Sequence, residues 1–500
     1  MREVIKVILE EILKGQEYQV VQGAVNVPIS GIEYDSRRVQ KGSLFVCIPG
    51  SKTDGHLFVP EAVKRGAAAL LVEQDVEVPA ECTVVKVPDT HKILPAISGT
   101  FYEHPSKGLR VIGVTGTNGK TTTTHLIKAI LEEAGHKVGL IGTLYASWQG
   151  ETEHLANTTP ESLDIERFMR RVKNEGGGYV VMEVSSHALD MGRVKEIDFD
   201  VAVFTNLTQD HLDYHKTLEN YRNAKGILFS ELAEEKGSFA VINTDDMAGD
   251  YFIDVTKSAK TTYGISEKAE IRAIDPQVTA SGSAFDVVYP GGKMCIKLKL
   301  AGMFNVYNAL AGIGFALKEG IAPSKIKKAL EKVNGVSGRF ESVNEGQEFT
   351  VIVDYAHTPD GLENVLRTAR QIVESRLITV FGCGGDRDRK KRPIMGEIAA
   401  RLSDFSFVTS DNPRSEEPMA IIDEILVGMK DVEGAHYAVI PDRRDAIHHA
   451  IKMAAKGDMV VIAGKGHEDY QIIKGVTYPF DDRVVAREFL GEMMGSERKS

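Results

Sequence analysis

The sequence predicts a three-domain α/β protein. A small N-terminal α/β domain (about residues 1–98) precedes a central P-loop-type ATPase domain with a mostly parallel sheet (about 99–334) and a C-terminal doubly wound, Rossmann-like domain (about 335–500). Three observations predict it. Five hundred residues exceed what one hydrophobic core organises. Short apolar runs alternate with amphipathic helical stretches along the chain, the pattern of parallel sheets wrapped by helices. One of those runs, LRVIGVTG, opens directly into TNGKTTT and then a helix, the context a phosphate-binding loop requires.

Composition bounds the class. The chain is 42% hydrophobic and 26% charged, ordinary for a globular protein. A net charge of -11 argues against a nucleic-acid coat, although local Lys, Arg and helix N-termini can still bind phosphate. Cys47, Cys82, Cys295 and Cys383 are widely spaced and form no C-x-x-C, so neither a disulfide framework nor a cysteine zinc site is expected. The N-terminus, MREVIKVILEEILKG, alternates charged and apolar residues at helical spacing and predicts an amphipathic helix rather than a signal peptide. No apolar segment is long enough to span a bilayer. A cytoplasmic protein is expected, with no membrane and no nucleic-acid partner.

In the N-terminal segment, SLFVCIPG, AAALLVEQ and CTVVKVP read as strands with helices between them. The Asp35-Ser36-Arg37-Arg38 run reads as a solvated loop.

The central segment begins at the turn-forming FYEHPSKG. After the strand LRVIGVTG, the stretch GVTGTNGKTTT departs from G-x-x-x-x-G-K-[ST], because Val114 stands where the first glycine belongs. Gly116 and Gly119 can turn backbone N–H groups toward an anion. Lys120 can reach the β- and γ-phosphates, and Thr121 can offer its hydroxyl to Mg²⁺. The bland alternative is a tight turn with a capping threonine. YVVMEVSS, VAVFTNL and FAVINTD are further strands, and ligands bind at the C-terminal ends of such strands. Glu183 and His211 follow two of them. Each is a candidate metal ligand or a plain hydrogen-bonding residue, and the oxygen suits Mg²⁺ better than the nitrogen does. Lys225, on the amphipathic helical stretch NYRNAKGILF, reads as solvent-facing.

The third segment repeats the pattern with FTVIVDYAHTPDG, LITVFGCGGD, FSFVTSDNPR and MVVIAGKGHED. The run GCGGDRDRKKRP holds Arg387, Arg389, Lys390, Lys391 and Arg392. It is either a solvated face or, because it follows a strand and glycines, an anion site. Ser410-Asp411-Asn412-Pro413-Arg414 suits an amino-acid pocket, with acid and amide for an ammonium and an arginine fork for a carboxylate. It fits a capped helix start equally well.

Taken together, TGTNGKTTT, MEVSSHAL, NLTQDHLDYH, NYRNAKGILF, GMFNVYNALA, GRFE, DYAHTPD, GCGGDRD, SDNPR and AGKGHED occur in an order that resembles the Mur ligase family. These are the ATP-dependent amino-acid ligases of peptidoglycan precursor synthesis. The resemblance runs from about residue 25 to 485, and the DNPR and GCGGDRD loops look like its diaminopimelate-adding branch. It implies three domains, binding UDP-substrate, ATP and amino acid in that order. It implies that Ser36, Thr158, Thr159, Ser185 and Arg193 contact UDP-N-acetylmuramoyl-L-Ala-D-Glu. Gly116, Thr117, Asn118, Gly119, Lys120, Thr121 and Thr122 would cradle ATP, with Asn308, Arg339 and Asp354 around its adenine and ribose. Mg²⁺ would be held by Thr121, Glu183 and His211, and by Lys225 as an N6-carboxylysine carbamate. Lys120, Lys225, Glu183 and His211 would form the catalytic set. Arg387, Asp411, Asn412, Pro413, Arg414, Gly464 and Glu468 would form the meso-diaminopimelate pocket. A monomer is expected. The competing expectations are an L-lysine-adding or folylpolyglutamate-type ligase, and a nucleotide switch; the chain has no Asn-Lys pair for a switch's base-reading motif.

Overall fold

The computed structural model describes residues 6–50, 53–155, 157–232, 237–279 and 282–497. Three main sheets follow one another along the chain, of five, eleven and six strands.

In the first, Gly31–Glu33, Ser43–Val46, Ala69–Val72 and Thr83–Lys86 run parallel, and Gln19–Gln22 adds an antiparallel margin. SLFV and ALLV are buried at every position, as strands covered on both faces must be. The expected N-terminal helix is only partly present. Residues 1–5 lie outside the described residues. Val7–Ile8 is a strand paired with Pro28–Ile29, and a single helical turn, Leu9–Ile12, follows. The β-branched pair finds a ladder partner, and tertiary pairing overrides the helical spacing. The Ser36 segment is a 3₁₀ turn capped by Asp35, and Ser36 itself is buried with its hydroxyl donating to Glu61 at 2.8 Å. Ser36 alone departs from the solvated loop expected from the run's polarity, since Arg37 and Arg38 are exposed. The helix Thr90–Phe101 continues through position 98, and the helix Ser162–Asn174 closes this layer from the central domain. Leu163 enters the first core, and Arg167 reaches the Ile32 carbonyl and Glu33, both at 3.0 Å.

The eleven-stranded sheet is parallel through its middle, from Val138–Ile141 to Ile271–Thr279, with antiparallel strands at both margins. Alternate residues of a strand enter different cores: Ile112 and Val114 face one, Val111 the other. This explains Val114. It is a fully buried strand residue, and the turn comes later, at Gly116 (φ +149°) and Gly119 (φ +85°). A Cβ at Gly116 would stand 1.9 Å from Thr205 Oγ1, and one at Gly119 would stand 2.3 Å from Asn308 Oδ1. Glycine is required at those two places and not at position 114. Trp148, the only tryptophan in the chain, is buried on a marginal strand, and its Nε1 donates to Glu175.

In the third sheet Met459–Ala463 inserts between Thr350–Asp354 and Leu377–Phe381, all parallel, and Phe405–Val408 and Tyr437–Val439 follow. The register pairs Asp354 with Ala463 and Phe381 with Val408, so the loops after these strands gather at one edge. Beneath that edge Arg443 and Asp482 form an ion pair, both fully buried, with Nε and Nη2 donating at 2.8 and 2.7 Å. Asp482→Ala would strand a buried guanidinium, at a cost of about 3–5 kcal/mol. Calorimetry should show the C-terminal transition lowered by about 10 °C; a shift of under about 2 °C would mean that the arginine finds another counter-charge.

Candidate active site

The strands of the central sheet deliver their C-terminal residues to one rim. Glu183 pairs in register with Val114, and Phe204 with Thr115, so the phosphate loop, Glu183 and the 205–211 loop stand side by side. The 205–211 loop clamps the phosphate loop: Thr205 Oγ1 donates to the Asn118 carbonyl at 2.7 Å, and Asn206 accepts from the N–H groups of Thr117 and Asn118. The helix Lys120–Ala134 points its N-terminus at the same place, which favours an anion there.

Glu183 is fully buried and accepts three hydrogen bonds. Thr121 Oγ1 donates to it at 3.1 Å, Thr143 Oγ1 at 3.0 Å and Thr143 N at 2.9 Å. Thr158 meets the Thr143 hydroxyl at 3.1 Å. Thr159 bonds the Glu183 carbonyl and accepts from Ser185 N, both at 2.9 Å, and Arg193 reaches the Thr159 carbonyl at 3.3 Å. Four of the five residues expected at the UDP-substrate are thus gathered round Glu183. Ser36 stands apart, in the N-terminal layer.

Lys225 corrects the reading of its helix. It is 1% exposed, its Nζ donates to the Gly116 carbonyl at 2.9 Å, and it lies 4.3 Å over the Tyr221 ring. Burial, together with the neighbouring Lys120, pushes its amine well below the usual lysine range. Lys120 Nζ donates to the same Gly116 carbonyl at 2.8 Å and to that of Thr117 at 2.7 Å. Burial lowers its pKa too, opposed by Glu183 and Asp210. His211 adopts a left-handed backbone (φ 54°), and its ring packs edge-on to His187 and Tyr221. Burial brings its pKa down to about 4, so it is neutral at pH 7.

Thr121 and Glu183 offer the oxygen donors Mg²⁺ prefers, and that ion takes few protein ligands when phosphates and waters complete its shell. Those two residues fit. Among the described residues no three His, Cys, Asp or Glu side chains converge as a metal cluster. His211 joins the group through Tyr221 and Lys225.

The residues expected around adenine and ribose serve the protein's own loops. Asn308 is buried behind Gly119; it accepts from Thr123 Oγ1 at 3.3 Å and donates to Asn305 at 3.1 Å, which fits a support of the phosphate loop. Arg339 Nη2 donates to Thr121 Oγ1 at 3.2 Å, at the phosphate end of the site. Asp354 accepts from Phe340 N at 2.6 Å and Ala356 N at 2.8 Å. Sequence reasoning missed Asp360, whose Oδ2 accepts from Asn118 Nδ2 at 2.8 Å and Thr208 Oγ1 at 2.9 Å, tying the third sheet's first helix to the phosphate loop. Its only signal was a place at the end of DYAHTPD.

The acceptor loops sort the 387–392 charge run. Arg392 is fully buried against Glu416 and Glu424, Arg389 pairs with Glu424, and Lys391 donates to the His357 carbonyl at 2.8 Å. Arg387 is left exposed. Arg414, at φ 53°, folds back so that Nη1 donates to the Gly385 carbonyl at 2.8 Å. The Pro413 carbonyl lies where a Cβ on Gly385 would fall, and Asp411 Oδ2 would stand 2.5 Å from a Cβ on Gly464. Asn412 Nδ2 donates to Glu468 at 2.8 Å. Asp411, Asn412, Gly464 and Glu468 therefore form one polar cluster, with Pro413 and Arg414 at its side.

A model of the Mur ligase family catalytic domain matches residues 28–102, one of the Mur ligase middle domain 114–316, and one of the Mur ligase glutamate ligase domain 338–466. A UDP-N-acetylmuramoyl-L-alanyl-D-glutamate--2,6-diaminopimelate ligase of Syntrophomonas wolfei is 54% identical over 96% of this chain and 99% of its own. A protein of the same description from Geobacillus thermodenitrificans is 50% identical over 93% and 96%. A solved structure of a ligase so described is 33% identical, with a TM-score of 0.67 over 98% of this chain and 99% of that one. Folylpolyglutamate synthase of Mycobacterium tuberculosis shares the fold, with a TM-score of 0.61 at 17% identity over 74% and 91%. The phosphate loop and the polar cluster on the next sheet thus lie within segments that match the family along almost the whole chain, and the chain belongs to the Mur ligase family.

Proposed function

We propose that this chain is the ATP-dependent ligase that joins meso-2,6-diaminopimelate to the D-Glu γ-carboxylate of UDP-N-acetylmuramoyl-L-Ala-D-Glu, in peptidoglycan precursor synthesis. The observation that carries the reading is the pairing of the phosphate loop with a cluster of Asp411, Asn412 and Glu468 beside Arg414. We propose divisions near residues 98 and 334, which give each substrate its own domain.

A carboxylate and an amine do not condense at neutral pH, so the carboxylate is first activated. Its oxygen attacks the γ-phosphorus of ATP, the bond to ADP breaks, and an acyl phosphate forms. The amine at the L-centre of diaminopimelate attacks the acyl carbon and loses a proton, and the C–O bond to phosphate breaks. The first step brings two anions together, which Lys120 offsets from the loop and Arg339 from across the domain seam. Mg²⁺, held by Thr121 and Glu183, would supply further charge neutralisation between the phosphates. Lys225 is suited to take up CO₂, since its neutral amine can form a carbamate with release of a proton, and Lys120 then lies beside the resulting anion. Docking of the third domain excludes water from the acyl phosphate.

Diaminopimelate differs from lysine by one distal carboxylate, which an arginine fork matches. With lysine bound, Arg414 would lack that partner. We expect kcat/KM for L-lysine to fall about 10⁴-fold below that for meso-diaminopimelate; parallel ligation assays decide, and comparable values would sink the assignment. Arg414→Ala should raise KM for diaminopimelate by about 100-fold while leaving KM for ATP within about twofold. Equal losses for both substrates would make Arg414 a structural residue.

A further inference from the structure

The AGKGHED stretch carries a lysine that the reaction above does not use. Lys465 follows the strand Met459–Ala463 and Gly464, and its side chain is fully buried. Its Nζ stands 3.2 Å from Asn412 Oδ1 and 3.4 Å from Glu468 Oε2, and lies 5.6 Å from the centre of the Tyr470 ring. The same Glu468 oxygen accepts from Asn412 Nδ2 at 2.8 Å, while Asn412 Oδ1 also accepts from Ile472 N at 2.9 Å. Both ends of the Asn412 amide are therefore engaged inside the protein, which also fixes which end is oxygen. Glu468 Oε2 is engaged as well. Glu468 Oε1 keeps only a long approach, 3.5 Å, from the Tyr470 hydroxyl.

This arrangement divides the cluster's polar groups into two kinds. Asn412, which the sequence suggested as a direct ligand to the amino acid, is occupied in holding Glu468. Glu468 offers one oxygen to a ligand, and a carboxylate oxygen in a partly buried site selects an ammonium. Lys465 is the cationic member of the trio. Among the described residues it is the only fully buried cation bonded to Glu468, and Arg443 beneath is committed to Asp482.

We infer that Lys465 is a positioning residue for acceptor recognition, locking Asn412 and Glu468 into a unit whose free oxygen, Glu468 Oε1, receives the amino group at the far end of the incoming diamino acid. The inference rests on the reading of this cluster as the amino-acid site.

Charge makes the role testable apart from packing. The groups facing Glu468 are Lys465, Asp411, Tyr470, Tyr355 and, from below, Arg443. Burial raises the carboxyl's pKa first, Lys465 opposes the rise, and Asp411 adds to it. Without Lys465 the rise is unopposed from that side, and Glu468 protonates nearer neutrality. The ionised acid accepts the ammonium, so recognition holds above the carboxyl's pKa and is lost as pH falls through it.

The test is steady-state ligation by the full-length enzyme, with meso-diaminopimelate and ATP varied separately, from pH 6.5 to about 8.5. Lys465→Met should raise KM for diaminopimelate about 30-fold at neutral pH, the scale of one hydrogen bond to a charged group, with KM for ATP within about twofold. Its KM for diaminopimelate should climb further as pH is lowered, whereas the wild-type value stays flatter. Adding Glu468→Gln should abolish that extra pH dependence. If the methionine variant does not fold, Lys465→Gln keeps a donor toward Glu468 without the charge and carries the same pH test. A folded variant whose KM for diaminopimelate matches wild type at every pH, or rises equally for ATP, would overturn the inference. Failure of the wild-type enzyme to ligate diaminopimelate would instead overturn the proposed acceptor.

Discussion

Two lysines donate to one carbonyl oxygen, that of Gly116, and much of the site depends on this convergence. Two ammonium groups cannot both stay charged at such a place without solvent, so one is driven toward the free amine. Lys225 is the deeper of the two and is the one displaced furthest from ordinary lysine behaviour. Lys120 stays nearer the carboxylates and keeps the phosphate-binding role. The geometry that brings them together is set by the backbone: Gly116 must approach Thr205 so closely that no side chain fits, and that approach turns its carbonyl toward both amines.

The same edge-on construction recurs in each sheet. Parallel strands in register end at a common line, so residues far apart in sequence become neighbours without any loop having to search for them. Between the sheets, polar joins accompany apolar ones such as Leu163 in the first core. Arg167 and Asp164 meet Glu33 and Tyr34 on one side; Asp360 and Arg339 meet the phosphate loop on the other. Joins of this type, exposed in part to solvent, resist sliding less than an apolar seam does, which suits domains that must admit three substrates.

Much of the fold was legible because burial on both faces leaves continuous apolar runs, and SLFV, RVIGVT and MVVIA are such runs. The phosphate loop was legible despite Val114, since strand, glycines and helix mattered more than the textual pattern. What was not legible depended on partners distant in the chain. Val7–Ile8 has helical spacing but pairs with Pro28–Ile29. Lys225 sits on an amphipathic helix whose lysine faces inward, because a carbonyl over one hundred residues earlier receives it. The 387–392 run contains buried, exposed and loop-bracing cations that composition cannot distinguish; Glu416 and Glu424 decide which is which. Asn308 and Asn412 were read as ligand contacts from motif alone, yet both amides are engaged within the protein.

Trp148 is the chain's one indole, buried at a margin of the central sheet. Tryptophan emission from all 500 residues therefore comes from a single address. Red-shift or quenching reports the state of the central layer and is blind to the flanking two. A protein of three main sheets would show one optical transition by that signal even if it lost its structure in three separate stages, and apparent two-state behaviour would then describe the probe's location rather than the cooperativity of the molecule.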